Sequence, residues 1–278
     1  MANREEKIAY LQGKARDLRL CALEMIYEAQ SGHPGGAFSA ADIIAALYYD
    51  ELHLNPQDAR DPDRDRFILS KGHVCPVLYA ALGDLGFFDR AYLHTLRKEG
   101  SILQGHPSMS KCPGIDISTG SLGQGLSCAV GMALAGKRDK KAYRVFAMVG
   151  DGECNEGQIW EALMTAYKYR LSNLVVIFDG NGLQIQGPCD EVMPMIDIVA
   201  KAKAFGCETF EIDGHDMGQI LDVLDAVRNS ESDLPKFIKA NTIKGKGVDY
   251  MENSLDWHGA APNKEQYEDA VAQLKGEK

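Results

Sequence analysis

The 278-residue sequence contains no apolar run approaching the ~18 residues needed to span a bilayer, and no membrane partner is expected. Its opening, Met-Ala-Asn-Arg-Glu-Glu-Lys, begins a charged amphipathic helix and not a signal peptide. Internal repeats and low-complexity tracts are also missing. Positive charge is scarce: 30 Lys and Arg face 40 Asp and Glu, for a net charge of −10. Nucleic acid and anionic membranes need a positive footprint, so both are set aside as partners. An anionic substrate must instead meet a local positive site. The seven cysteines are odd in number, scattered, and form no Cys-x-x-Cys pair, which argues against a disulfide framework or a zinc site. Reduced thiols and a cytoplasmic location are expected. Cys154 reads as a small buried apolar residue without chemistry.

What is present suits a large α/β domain, since 45% hydrophobic and 25% charged residues provide a sizeable core under a polar surface. Two β-branched and aromatic runs, 143–149 and 174–178, read as buried strands. The stretch 156–170 between them places Ile159, Leu163, Ala166 and Tyr167 on one helical face, making a βαβ unit with parallel strands. A helical face also runs through Ile8, Leu11, Ala15, Leu18, Ala22 and Ile26, up to a break at residues 31–36. A second helix is expected at about 39–51, short strands at 67–69 and 237–243, and a last helix from Pro262-Asn263-Lys264-Glu265-Gln266, with Asn and Gln placed as a capping box. The fold class is therefore α/β, a mostly parallel sheet with helices on both faces and ligands at the carboxyl ends of its strands.

Gly150-Asp151-Gly152 stands where one strand stops, and Asn181 stands just past the end of the next. Asp151, the side-chain oxygen of Asn181 and a nearby carbonyl make a hard oxygen site for Mg²⁺, completed by phosphate oxygens. Ca²⁺ and Mn²⁺ suit the same donors. Gly150-Asp151-Gly152-Glu153 with Phe178-Asp179-Gly180-Asn181-Gly182 resembles the thiamine diphosphate motif, in which the metal also takes the carbonyl two residues after the asparagine, here Leu183. Gly180 departs from the commoner Asp or Asn at that place without touching a ligand. Four of the seven histidines, His33, His73, His106 and His258, lie beside Gly or Pro at loop or strand ends. Imidazoles so placed suit proton movement among sugar hydroxyls. His53, His94 and His215 lack that setting and read as structural or solvated.

Ser31-Gly32-His33-Pro34-Gly35, Asp65 to His73, Gly105-His106-Pro107 and Thr119-Gly120-Ser121-Leu122-Gly123-Gln124-Gly125 together resemble transketolase. The order continues through Asp213-Gly214-His215-Asp216 and Lys244-Gly245-Lys246-Gly247 to Trp257-His258-Gly259, covering nearly the whole chain. The resemblance implies a thiamine diphosphate-binding domain over 1–278, with a tail at 262–278 and the pyrimidine-binding and third domains absent. It implies that Asp151, Asn181 and the Leu183 carbonyl bind the metal. His73, Gly120, Leu122, Gly152, Asn181, Lys244 and His258 then contact the cofactor, while His33, His106 and His258 face the sugar. Of these, His106 holds the donor's terminal hydroxyl and His33 with His258 moves the proton. Ser121 departs from a common proline, and Glu156 matches a glutamate near the subunit interface.

The implied activity is ketol transfer between sugar phosphates, as in the pentose phosphate pathway. It needs a glutamate carried by the absent domain, so a C-terminal transketolase subunit is expected as partner, in a heterotetramer with two copies of each chain. A split transketolase for a branched or sulfonated sugar phosphate is an alternative. The α subunit of a 2-oxo acid dehydrogenase fits less well, because it does not lead one to expect the paired Gly-His-Pro turns. A non-catalytic protein of the same fold is opposed by the intact metal ligands and four histidines.

Overall fold

A computed structural model describes residues 3–277. Five strands form one wholly parallel sheet in the order β1-β2-β3-β5-β4: β1 Arg66–Leu69, β2 Val145–Gly150, β3 Leu174–Gly180, β4 Glu208–Asp213 and β5 Lys236–Asn241. Parallel neighbours need crossovers, which the helices supply. They are α1 Arg4–Ala29, α2 Pro34–Ala46, α3 Cys75–Asp84, α4 Gln124–Arg138, α5 Gly157–Lys168, α6 Cys189–Val192, α7 Ile198–Ala204, α8 Met217–Arg228 and α9 Lys264–Lys275.

Alternation along the strands divides the core in two. Phe67, Leu69, Phe146, Met148, Val175, Ile177 and Ile238 face a cluster with residues of α1, α2, α3, α8 and α9. Ile68, Val145, Ala147, Val149, Val176, Phe178 and Phe237 face the other way, toward α4, α5 and α7. Both faces are covered, which is why the central strands read as continuous apolar runs. Among the described residues no helix is long and apolar enough to cross a membrane.

The expected elements are present with shifted ends. The second helix starts at Pro34, within the expected break, because proline is well accommodated in a first turn where its missing N–H costs nothing. That helix runs on into a π turn at Leu47–Glu51. The strand expected at 237–243 ends at Asn241, and Thr242 and Ile243 turn away to serve the site. Tyr167 is exposed, contrary to the expected face, and its ring lies against Arg170 at 4.6 Å. The capping box at Asn263 and Gln266 is formed, and α9 docks on α1 through stacked Tyr27 and Tyr267, 4.2 Å apart.

Phe237 is fully buried in the second cluster. Phe237→Ala is expected to cost about 3–5 kcal/mol by urea unfolding; a loss below about 1 kcal/mol would mean that this face repacks freely.

Candidate cofactor and sugar site

The carboxyl ends of β1, β2, β3 and β5 meet over a buried ion pair. Asp179, next to last in β3 and wholly buried, pairs with Lys71 just after β1. The same carboxylate accepts the Ser39 hydroxyl of α2 at 2.7 Å and the Thr242 hydroxyl just after β5. Lys71 and these hydroxyls hold the carboxyl below its usual range despite burial. On this floor stands a cavity of ≈ 450 Å³. Asp151, Asn181, Leu183, Gly152, Gly120 and Leu122 line it, as do His33, His73, Lys244 and His258.

On the metal side, β2 and β3 run in register so that Gly150 pairs with Asp179, which brings Asp151 beside Asn181. The Asn181 N–H donates to Asp151 Oδ2 at 2.9 Å, and Asn181 Oδ1 accepts the Leu183 N–H at 3.1 Å. The Cys189 thiol donates to Asp151 Oδ1 at 3.4 Å, and burial with that carboxylate pushes the thiol up to about 12. Burial and the nearby Asp179 push the Asp151 carboxyl up to about 6. A buried carboxylate that resists ionisation, with an asparagine oxygen and a loop carbonyl close by, fits a hard divalent cation.

On the diphosphate side, Lys244 is buried and its Nζ donates to His258 Nδ1 at 3.0 Å, which leaves the proton of a neutral His258 on Nε2. Burial, then Lys71, lower the ammonium of Lys244 to about 8. A bound anion reverses that pressure, so two lysines crowded in one cavity fit a diphosphate. The turn after Lys244 requires glycine: Gly245 has φ +80°, and a Cβ there would lie 2.2 Å from the Met251 carbonyl oxygen. His215 secures the same segment, with Nδ1 donating to Asp42 at 2.8 Å and Nε2 accepting the Ile243 N–H at 2.8 Å. Its structural reading is thereby given a specific purpose.

Three imidazoles form a triangle: His33 to His73 5.1 Å, His33 to His258 5.4 Å and His73 to His258 5.3 Å between ring centres. Burial, followed by Arg97, His106 and Lys244, lowers His33 to about 4. Burial, Lys244 and His33 lower His258 to about 4, and burial with Lys71 lowers His73 further. All three are therefore neutral near pH 7 and able to accept a proton. His33 Nδ1 is buried without a hydrogen-bond partner among the described residues. His106 does not line the cavity; it stands exposed at the rim against Gly120, where a Cβ would lie 2.9 Å from its ring.

Sequence reasoning missed Lys71, Asp179, Glu153 and Arg97. Glu153 is buried and ties three loops together, accepting from the Gly123 N–H at 3.0 Å, the Gly150 N–H at 3.3 Å and the Ser70 hydroxyl. Lys71, Asp179 and Glu153 share motifs with the candidate ligating and histidine residues, and that adjacency was the available signal. Cys154 is buried, as expected. Glu156 is the N-cap residue of α5, exposed and without a side-chain cap bond.

Fold and cavity together define an α/β domain that holds a diphosphate and a hard cation at the carboxyl edge of a parallel sheet. Residues 12–277 match the family described as the thiamine diphosphate binding domain of transketolase. One of the two apulose-4-phosphate transketolase chains, from Phocaeicola vulgatus, is 42% identical over 264 residues, covering 95% of this chain and 92% of that protein. The 6-deoxy-6-sulfo-D-fructose transketolase subunit SqwG of a Clostridium species is 41% identical over 267 residues, covering 96% and 97%. The Campylobacter jejuni transketolase structure superposes with a TM-score of 0.91 at 33% identity, covering 96% of this chain but 43% of that one. The chain belongs to the transketolase family. It spans nearly the whole of the two relatives named as subunits and less than half of the Campylobacter jejuni chain.

The raised carboxyl of Asp151 has a thermodynamic consequence. A proton is held more tightly in the folded chain, so the stability it gives at low pH is lost as pH rises through about 6. Asp151→Asn is therefore expected to stabilise the metal-free chain at pH 7.5 by up to about 2 kcal/mol, and to abolish the stabilisation that Mg²⁺ gives the parent chain. Urea midpoints with and without Mg²⁺ measure both; a metal-free variant weaker than the parent contradicts the buried-charge account.

Proposed function

We propose that this chain is the N-terminal, diphosphate-binding subunit of a two-chain transketolase, moving a two-carbon ketol unit from a ketose phosphate to an aldose phosphate. The observation that carries the reading is the convergence, in one cavity, of the Asp151 and Asn181 donors, the Lys244 ammonium and three neutral imidazoles. The whole chain then serves as one thiamine diphosphate-binding domain, with 262–278 as its tail. When bound, thiamine diphosphate supplies an electron sink for the two-carbon unit.

The chain's residues have separate tasks in this reading. Asp151, Asn181 and the Leu183 carbonyl hold the divalent cation, Mg²⁺ or another hard ion. Lys244, with His73, Gly120, Leu122, Gly152 and His258, holds the diphosphate end of the cofactor. His33 and His258 accept and return the sugar hydroxyl proton, a task suited to imidazoles that burial keeps neutral. His106, at the rim, holds the donor's terminal hydroxyl. A C-terminal subunit with the pyrimidine-binding domain completes the site, in a heterotetramer working in the cytoplasm. Two relatives named as transketolase subunits support the need for a partner, and the seven free cysteines support the location.

A second reading concerns the donor. Relatives named for apulose-4-phosphate and for 6-deoxy-6-sulfo-D-fructose favour a sugar outside the common pentose phosphates. The three donors, including xylulose 5-phosphate, should be compared with ribose 5-phosphate as acceptor.

Ketol transfer is expected only when the chain is combined with its C-terminal partner, thiamine diphosphate and Mg²⁺. Turnover by the chain alone would refute the two-chain reading. In the assembled enzyme, His33→Ala is expected to lower kcat by about 10²–10⁴-fold while leaving Mg²⁺-dependent cofactor binding in place. Loss of binding instead would move His33 from proton transfer to cofactor anchoring.

A further inference from the structure

The two Gly-His-Pro turns lie more than seventy residues apart, yet one guanidinium touches both. Arg97 Nη1 donates to the Ser31 hydroxyl at 3.1 Å, two residues before His33. Its Nη2 donates to the Gly105 carbonyl at 3.3 Å, immediately before His106. Gly105 is pressed so closely on the guanidinium that a Cβ there would lie 2.9 Å from Arg97 Cζ. We infer that Arg97 is a positioning residue, a bridge that sets the spacing of His33 and His106 across the sugar-binding mouth. The inference rests on the reading of this cavity as a ketol-transfer site.

The backbone is shaped for that placement. Arg97 adopts φ +60°, a conformation uncommon for a non-glycine residue, and its N–H donates to the Leu103 carbonyl at 2.9 Å. Buried Leu96 and Leu103 anchor the two sides of this turn, so the chain doubles back and brings Gly105 to the guanidinium. Local strain held by surrounding packing is a recurrent feature of functional sites. The Arg97 Nε is buried and has no hydrogen-bond partner among the described residues, so the fold bears an unsatisfied donor to keep the fork here.

A fork is what the task needs. Its two donors diverge in a plane and reach separate acceptors on separate turns, whereas a lysine presents one compact ammonium on a flexible stem. The cation has a second effect. After burial, Arg97 is the largest influence lowering His33, and burial and Arg97 are the causes that lower His106. The other charged or titratable groups facing His33 are His73, His106, Lys244 and His258, with Lys71 behind His73 and His258. Bridge and charge are thus separable by substitution: Arg97→Lys keeps the charge and loses the fork, and Arg97→Met loses both.

The test uses the assembled two-chain enzyme for kinetics and the ring-labelled isolated chain for histidine titration by NMR, with urea midpoints confirming that each variant is folded. Arg97→Met is expected to raise the His106 midpoint and shift the acid limb of kcat/KM to higher pH. A displaced histidine pair should lower its kcat/KM by about 10–100-fold. Arg97→Lys should lose a similar factor in kcat/KM while its acid limb and His106 midpoint stay near the parent values. Full kcat/KM in Arg97→Lys would overturn the bridge, and an unshifted His106 in Arg97→Met would overturn the electrostatic part. A parent enzyme without ketol transfer would sink the functional reading instead, while the titration still reports whether Arg97 acts on His106.

Discussion

The Asp179 carboxylate, wholly buried at the end of β3, is bound at once by Lys71 after β1, Ser39 in α2 and Thr242 after β5. Four segments far apart along the chain are fastened to one point beneath the cavity. Removing either partner of such a pair leaves an uncompensated buried charge, which typically costs about 3–5 kcal/mol. Around this point the strand ends are held at fixed relative heights. Asp151 then stands beside Asn181, and Lys244 emerges three residues past β5 to face them.

The cavity built on that pair is charged in a way that favours its ligands. Across the whole chain acidic groups prevail, with a net charge of −10, yet Lys71 and Lys244 share one small space. Each side of the site is uncomfortable without ligand. The Asp151 carboxyl is pushed up to about 6 and the Lys244 ammonium down to about 8. A cation beside the first and an anion beside the second remove both penalties together. Binding is therefore coupled, with the metal and the diphosphate each relieving strain that the protein alone sustains. The histidines stay outside this exchange of charge because burial keeps them neutral, and neutral imidazole is the form able to take a proton.

Much of the architecture could be read from the chain. The runs ending at Gly150 and at Gly180 predicted parallel strands, and the Asp151–Asn181 interval placed two candidate ligands at one sheet edge, because an apolar run that stops abruptly in Gly-Asp leaves little else for the chain to do. Where reading failed, the reasons were local. Tyr167 has helical spacing with Leu163, but its ring packs on Arg170 outside the core. Thr242 and Ile243 are β-branched and read as strand, although one supplies a hydroxyl to Asp179 and the other an N–H to His215. Asp179 in Asp-Gly looked like turn chemistry, and Lys71 looked subordinate to the neighbouring His73.

The sequence by itself determined the element order, the parallel sheet with two covered faces, and which side chains are chemically fit for a metal, a diphosphate and a sugar. These properties depend on residue type and on spacing along one segment, so they survive without coordinates. Only the tertiary structure decided which of these groups meet. It brought His33, His73 and His258 into one triangle, set His106 apart at the rim, and put a single Arg97 between two turns distant in sequence. Such contacts arise from how strand ends and loops pack across a sheet edge, and their partners lie tens to hundreds of residues apart, beyond what periodicity along the chain can encode.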